Sequence, residues 1–84
     1  MIDERKTQEW EQYVKNLGLT LQRERIAQGY SQEFVATSAG ISGFTYRKLE
    51  HGESNPGTPA NPRLRTLIAL GRVLDIPIGK LLPE

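Results

Sequence analysis

The chain has 84 residues, of which 37% are hydrophobic and 25% charged, with a formal net charge of +1. A chain of this length makes one small domain with one modest core, and the deep pocket that most enzymes need is hard to build on it. It contains no cysteine and one histidine, His51, which excludes a disulfide framework and leaves too few ligands for a zinc site.

No apolar run approaches the ~20 residues of a membrane span. The N-terminal stretch MIDERKTQEW is too charged for a signal peptide, so the expected location is cytoplasmic with no membrane partner. Charge is unevenly spread. Asp3, Glu4, Glu9 and Glu11 make the first end acidic against Arg5 and Lys6. Between 15 and 65, Lys15, Arg23, Arg25, Arg47, Lys48, Arg63 and Arg65 outnumber Glu24, Glu33, Glu50 and Glu53. A polyanion would be avoided by the first segment and met by the second.

In chain order, Trp10, Tyr13, Val14, Leu17, Leu21 and Ile26 recur mostly at helical spacing from Thr7 to Gln28. Gly18 interrupts this stretch, which reads as one long helix or as two meeting near Asn16–Thr20; Gly29 is a natural stop. Ser31 caps a short helix, SQEFVATSA, whose inward side is expected at Phe34, Val35, Ser38 and Ala39. Gly40 permits a sharp turn, and Ser42 caps the next helix, GFTYRKLEH, which Gly52 closes. The stretch ESNPGTPANP reads as a loop, and Asn61 before Pro62 as the cap and first turn of another helix. There Leu64, Leu67, Ile68, Leu70, Val73 and Leu74 form a stripe expected to face the core. Asp75-Ile76-Pro77 breaks it, and Ile78 to Leu82 makes a last short helical turn. The expected class is all-α, with five or six helices and no strand.

The stretch RIAQGYSQEFVATSAGISGFTYRKLEHG resembles the Xre family, the Cro and phage-repressor type of helix-turn-helix. The positions that carry the resemblance are Arg25, Gly29, Ser31, Gln32, Ala36, Gly40, Ser42, Leu49, Glu50 and Gly52. Leu67, Leu70, Leu74, Asp75-Ile76-Pro77 and Leu81-Leu82 extend it, so that it covers about residues 17 to 82. It implies a compact five-helix DNA-binding domain over 17–84, with residues 1–16 as an N-terminal helical extension. It further implies a double-stranded DNA partner, a homodimer and no cofactor.

The resemblance also implies roles. Gly43, Phe44 and Lys48 match positions that reach base edges, and Thr45 lies beside them, suited to a base or a phosphate. Gln32 matches a position that grips a phosphate and braces the recognition helix, and Arg25 with Glu50 matches an internal ion pair. Ser42 and Arg47 are further expected phosphate contacts. Beyond the resemblance, the loop from Glu53 to Asn61 is longer than in short phage repressors, and at its far side Arg63 and Arg65 have the chemistry to meet phosphates or enter a narrow minor groove. Lys48 has the chemistry to donate to guanine O6 and N7, and Phe44 to pack on a thymine methyl. Gly43 has no side chain with which to read anything, so shape and phosphate contacts are expected to contribute more.

Alternatives stay open on the residues alone. Phe44 folds into the core or faces the groove, and Lys48 and His51 are contacts or merely solvated. The aromatic side of the extension packs on the domain or meets a partner. A protein-interaction module or antitoxin on the same fold is the rival function. No nucleophile–base pair and no phosphate-binding glycine loop marks an enzyme.

Overall fold

In a computed structural model the described residues are 4–83, with side chains described from Thr7 onward. The carboxylate of Asp3 and the charged groups of Glu4, Arg5 and Lys6 therefore lie outside the described residues. The chain runs α1 (Glu4–Ala27), α2 (Gln32–Ala39), α3 (Gly43–His51), β1 (Glu53–Asn55), β2 (Thr58–Pro59), α4 (Leu64–Leu74) and a 3-10 turn (Ile78–Lys80).

The described residues thus hold four α-helices rather than five, and the expectation of no strand is corrected by a small hairpin. Its cause is local: Gly57, at φ 80°, supplies the left-handed residue that reverses the chain after Pro56. Glu53 then pairs with Pro59 and Asn55 with Thr58, with an irregular register between them. The Ala60 amide donates to the Gly52 carbonyl at 2.9 Å, and the Ala60 carbonyl accepts from Trp10 Nε1 at 3.0 Å. These two bonds fix the segment between the end of α3 and the side of α1.

α1 is one continuous helix of 24 residues, so Gly18 does not break it. A Cβ on Gly18 would run into the carbonyl oxygen of Glu50 and lie 2.7 Å from that of Leu49. The glycine is where α1 crosses the last turn of α3 in backbone contact. Its helix-propensity cost of ~1 kcal/mol is borne by that packing.

Val14, Leu17 and Leu21 of α1, Val35 and Ala36 of α2, Tyr46 and Leu49 of α3, and Leu67, Leu70 and Leu74 of α4 form the buried core with Ala60, Ile76 and Leu81. The aromatic side of the extension rests on this core. Trp10 and Tyr13 pack with ring planes tilted by 52° at 5.0 Å between centroids, and the Tyr13 hydroxyl donates to the Leu81 carbonyl at 2.5 Å.

Several inward expectations are corrected. Phe34 and Ser38 are exposed, since short α2 meets the core only through Val35 and Ala36 with Ala39 half-buried. Leu64 and Ile68 are 58% and 37% exposed, because α4 turns only its 67/70/74 face inward. α4 also starts later than Asn61–Pro62 suggests: its N-cap is Arg63, in extended conformation and with no side-chain cap bond. Its far end is closed differently, by Asp75 in the left-handed region at φ 56° and by Gln28 Nε2 donating to the Leu74 carbonyl at 2.7 Å.

Candidate nucleic-acid interface

The unit α2–turn–α3 is built by three short-range devices. Ser31 accepts the Phe34 amide and so caps α2. Gly40, left-handed at φ 75°, returns its amide to the Ala36 and Thr37 carbonyls and reverses the chain. Ser42 then accepts the Thr45 amide at 3.0 Å and caps α3. Ala36, fully buried, lies in the interior of this unit, where its small side chain permits close packing.

Tyr46, Leu49 and Glu50 are the buried face of α3. The other face carries the residues that the sequence marked: Gly43 and Lys48 are half-buried, while Phe44, Thr45 and Arg47 are exposed. Phe44 is therefore outside the core, at 61% exposure. Lys48 stands one turn on, its ammonium 4.1 Å from the centre of the Phe44 ring, a cation–π contact. The Ser42 hydroxyl donates to Thr45 Oγ1 at 2.9 Å, so its own proton is spent inside the cap while that of Thr45 remains. His51 is exposed in the last turn of α3.

Behind this face lies an ionic brace. Arg25 Nε and Nη2 donate to the two Glu50 carboxylate oxygens at 2.6 and 3.1 Å, a bidentate pair joining α1 to α3. Arg25 Nη1 donates to the Tyr30 carbonyl, and Gln32 Nε2 donates to Glu50 Oε1 at 2.9 Å. The side chains of Arg25 and Glu50 are only 13% and 4% exposed. Burial pushes the Glu50 carboxyl up, but Arg25, the Tyr46 hydroxyl and Gln32 outweigh it and hold it below the ordinary glutamate value. Burial likewise raises the Tyr46 phenol, whose oxygen makes no hydrogen bond of good geometry. Gln32 thus braces α3 through Glu50, and it makes no contact with Gly43 among the hydrogen bonds of the described residues.

What stands against Gly43 is Glu33, which sequence reasoning did not single out. A Cβ on Gly43 would lie 2.6 Å from the Glu33 carboxylate and 3.1 Å from the Arg47 guanidinium. A carboxylate thus borders the first turn of α3, where helix polarity favours negative charge. Glu33 is one of several acidic residues in the sequence, and only the α2–α3 angle brings it there.

Arg63 and Arg65 are exposed at the start of α4, and Arg63 borders an open groove together with Ile41, Phe44 and Lys48. The structure therefore brings Phe44, Lys48 and Arg63 to one groove, with Arg47 on the other side of α3 beside Glu33. Among the described residues no cluster of three or more His, Asp or Glu could hold a metal, and no helix is long and apolar enough to cross a membrane.

A helix-turn-helix family model matches residues 21–81, most of the chain. The protein belongs to the Xre/Cro-type helix-turn-helix family. Helix-turn-helix proteins of this family are DNA-binding transcription regulators, and the match runs from Leu21 through the 3-10 turn. No curated protein and no solved structure matches the chain. Within the helix-turn-helix frame α3 occupies the place of the recognition helix, and α2 that of the helix lying across the backbone.

Proposed function

We propose that the protein is a homodimeric regulator that binds a palindromic operator and blocks or recruits polymerase, with α3 in the major groove. The observation that carries this reading is the α3 surface itself. Phe44, Thr45, Arg47 and Lys48 stand on the solvent side of a helix that is capped at both ends and held from behind by a bidentate ion pair.

Phe44 and Lys48 are placed to meet base edges, with Gly43 letting the start of α3 come close. Thr45 has a hydroxyl proton for a phosphate or a base. Arg47, Arg63 and Arg65 supply phosphate contacts, joined by the second amide hydrogen of Gln32 and by the free amide groups of the first turn that Ser42 opens. Leu64 and Ile68, exposed one turn apart on α4, offer a second copy an apolar face. Residues 1–16 serve as an extension that enlarges the core of a 17–84 DNA-binding domain, through Trp10, Tyr13 and Val14. The site of action is the cytoplasm.

Selection from a random duplex library with purified protein tests this reading. The expected product is a palindrome with half-sites about one helical turn apart, with Lys48→Ala losing preference at one position in each half. Enrichment of no sequence, with binding left at ~10⁻⁴–10⁻⁶ M, would overturn it.

A further inference from the structure

Phe44 is the second residue of α3, and the Lys48 ammonium lies against its ring at 4.1 Å from the centroid. The cation occupies one face of the ring. The residue as a whole remains 61% exposed, so apolar ring surface is open to solvent. A phenyl ring has no hydrogen-bond donor or acceptor, so in the major groove it cannot tell the O4 of thymine from the N4 amine of cytosine. It can register only the C5 methyl, which thymine carries and cytosine lacks. A cytosine methylated at C5 presents that same methyl at the same place.

Lys48 supplies the polar half. Its ammonium donates and never accepts, and guanine offers the acceptors O6 and N7 in the major groove. Adenine offers N7 alone and sets the N6 amine, a donor, beside it, which a donor-only ammonium cannot use. Because the ammonium and the ring are in contact, they reach the same part of the groove, which favours adjoining bases.

We propose that Phe44 and Lys48 act as one unit that reads a 5-methylpyrimidine next to a guanine, so that cytosine methylation can stand in for thymine in the bound site. The proposal rests on the reading of α3 as the groove helix. It goes further in naming the base chemistry and in making the protein responsive to DNA methylation.

The test uses the selected duplex in two matched pairs at each pyrimidine of the half-site. One pair compares thymine with deoxyuridine opposite adenine; the other compares 5-methylcytosine with cytosine opposite guanine. Burial of one methyl corresponds to roughly a three- to fourfold gain in affinity. At one position beside a guanine, the methylated member of both pairs is expected to bind tighter by about that factor. Phe44→Ala, at an exposed site, should erase the difference there, and Lys48→Met should remove the preference for the adjoining guanine. Equal binding of thymine and deoxyuridine at every position would overturn the proposal. So would a methyl gain that survives Phe44→Ala, or one seen with thymine but not with 5-methylcytosine. A library that enriches no sequence defeats the groove reading itself, an outcome distinct from an enriched site indifferent to its methyls.

Discussion

At the scale of single residues, the Arg25–Glu50 pair sets how α3 is held. Its two side chains are nearly closed to water and bonded through both oxygens, so removing one strands the other. Arg25→Ala leaves a carboxylate at 4% exposure and is expected to cost ~3–5 kcal/mol, read as a fall in the denaturation midpoint. The pair also has a pH signature. Glu50 is held below its ordinary value of 4.5, so its contribution is present above that pH and is lost as pH falls through the lowered folded value. Denaturation between about pH 2 and 6 should show that acid limb in the parent and a smaller one in Glu50→Gln. Arg25 and Glu50 were legible in the sequence because they belong to a motif with fixed offsets. Glu33 was not, since its place beside Gly43 depends on the angle between α2 and α3, which no local pattern encodes.

At the scale of elements, capping chemistry was the most readable feature and tertiary override the least. Ser31, Gly40, Ser42 and Gly52 sit at the helix ends that their residue types imply, because a cap is a local hydrogen-bonding problem. Gly18 misleads for the opposite reason. Locally it weakens a helix, yet here it allows α1 and α3 to touch through their backbones. Gly18→Ala should therefore destabilise the protein despite the better helix former. Propensity returns ~1 kcal/mol, but the added methyl meets two carbonyl oxygens that cannot swing away, and overpacking costs ~1–3 kcal/mol or more. A melting temperature several degrees lower is expected (~4–8 °C per kcal/mol at this size). Gly79→Ala, with open space around the added atom, is the matched control and should stay near the parent. The α4 stripe erred in the same way: six apolar residues at helical spacing say that a face is buried, but not how wide it is. Leu64 and Ile68 fall outside it.

At the scale of the whole molecule, the hairpin and the extension show where sequence reading ends. ESNPGTPANP has the composition of a loop. It becomes β1 and β2 through the turn at Gly57, and Trp10, 50 positions earlier, anchors its end at Ala60 through a hydrogen bond that only the folded chain can make. The same folding brings Lys48 of α3 and Arg63 at the start of α4 to one groove, while Arg47 and Arg65 stay exposed outside its lining. That distribution, together with the proposed dimer, yields a prediction about stoichiometry. Each phosphate neutralised releases condensed counterion, so log K falls with log salt by ~0.9 per contact. In a dimer on a palindrome every substitution enters twice. Arg63→Ala should therefore flatten the salt slope by about 1.8 if two copies bind and by about 0.9 if one does, with similar loss on every sequence. Leu64→Lys on the exposed α4 face gives the complementary result. If that face joins the copies, the variant sediments as a monomer, loses tight binding to the full palindrome, and retains weak binding to a half-site. A variant still dimeric in sedimentation, with the full palindrome bound as before, would place the dimer contact elsewhere while leaving α3 as the reader. Charge counting and subunit counting are then independent, and a doubled slope change in the parent background has no source in a monomer.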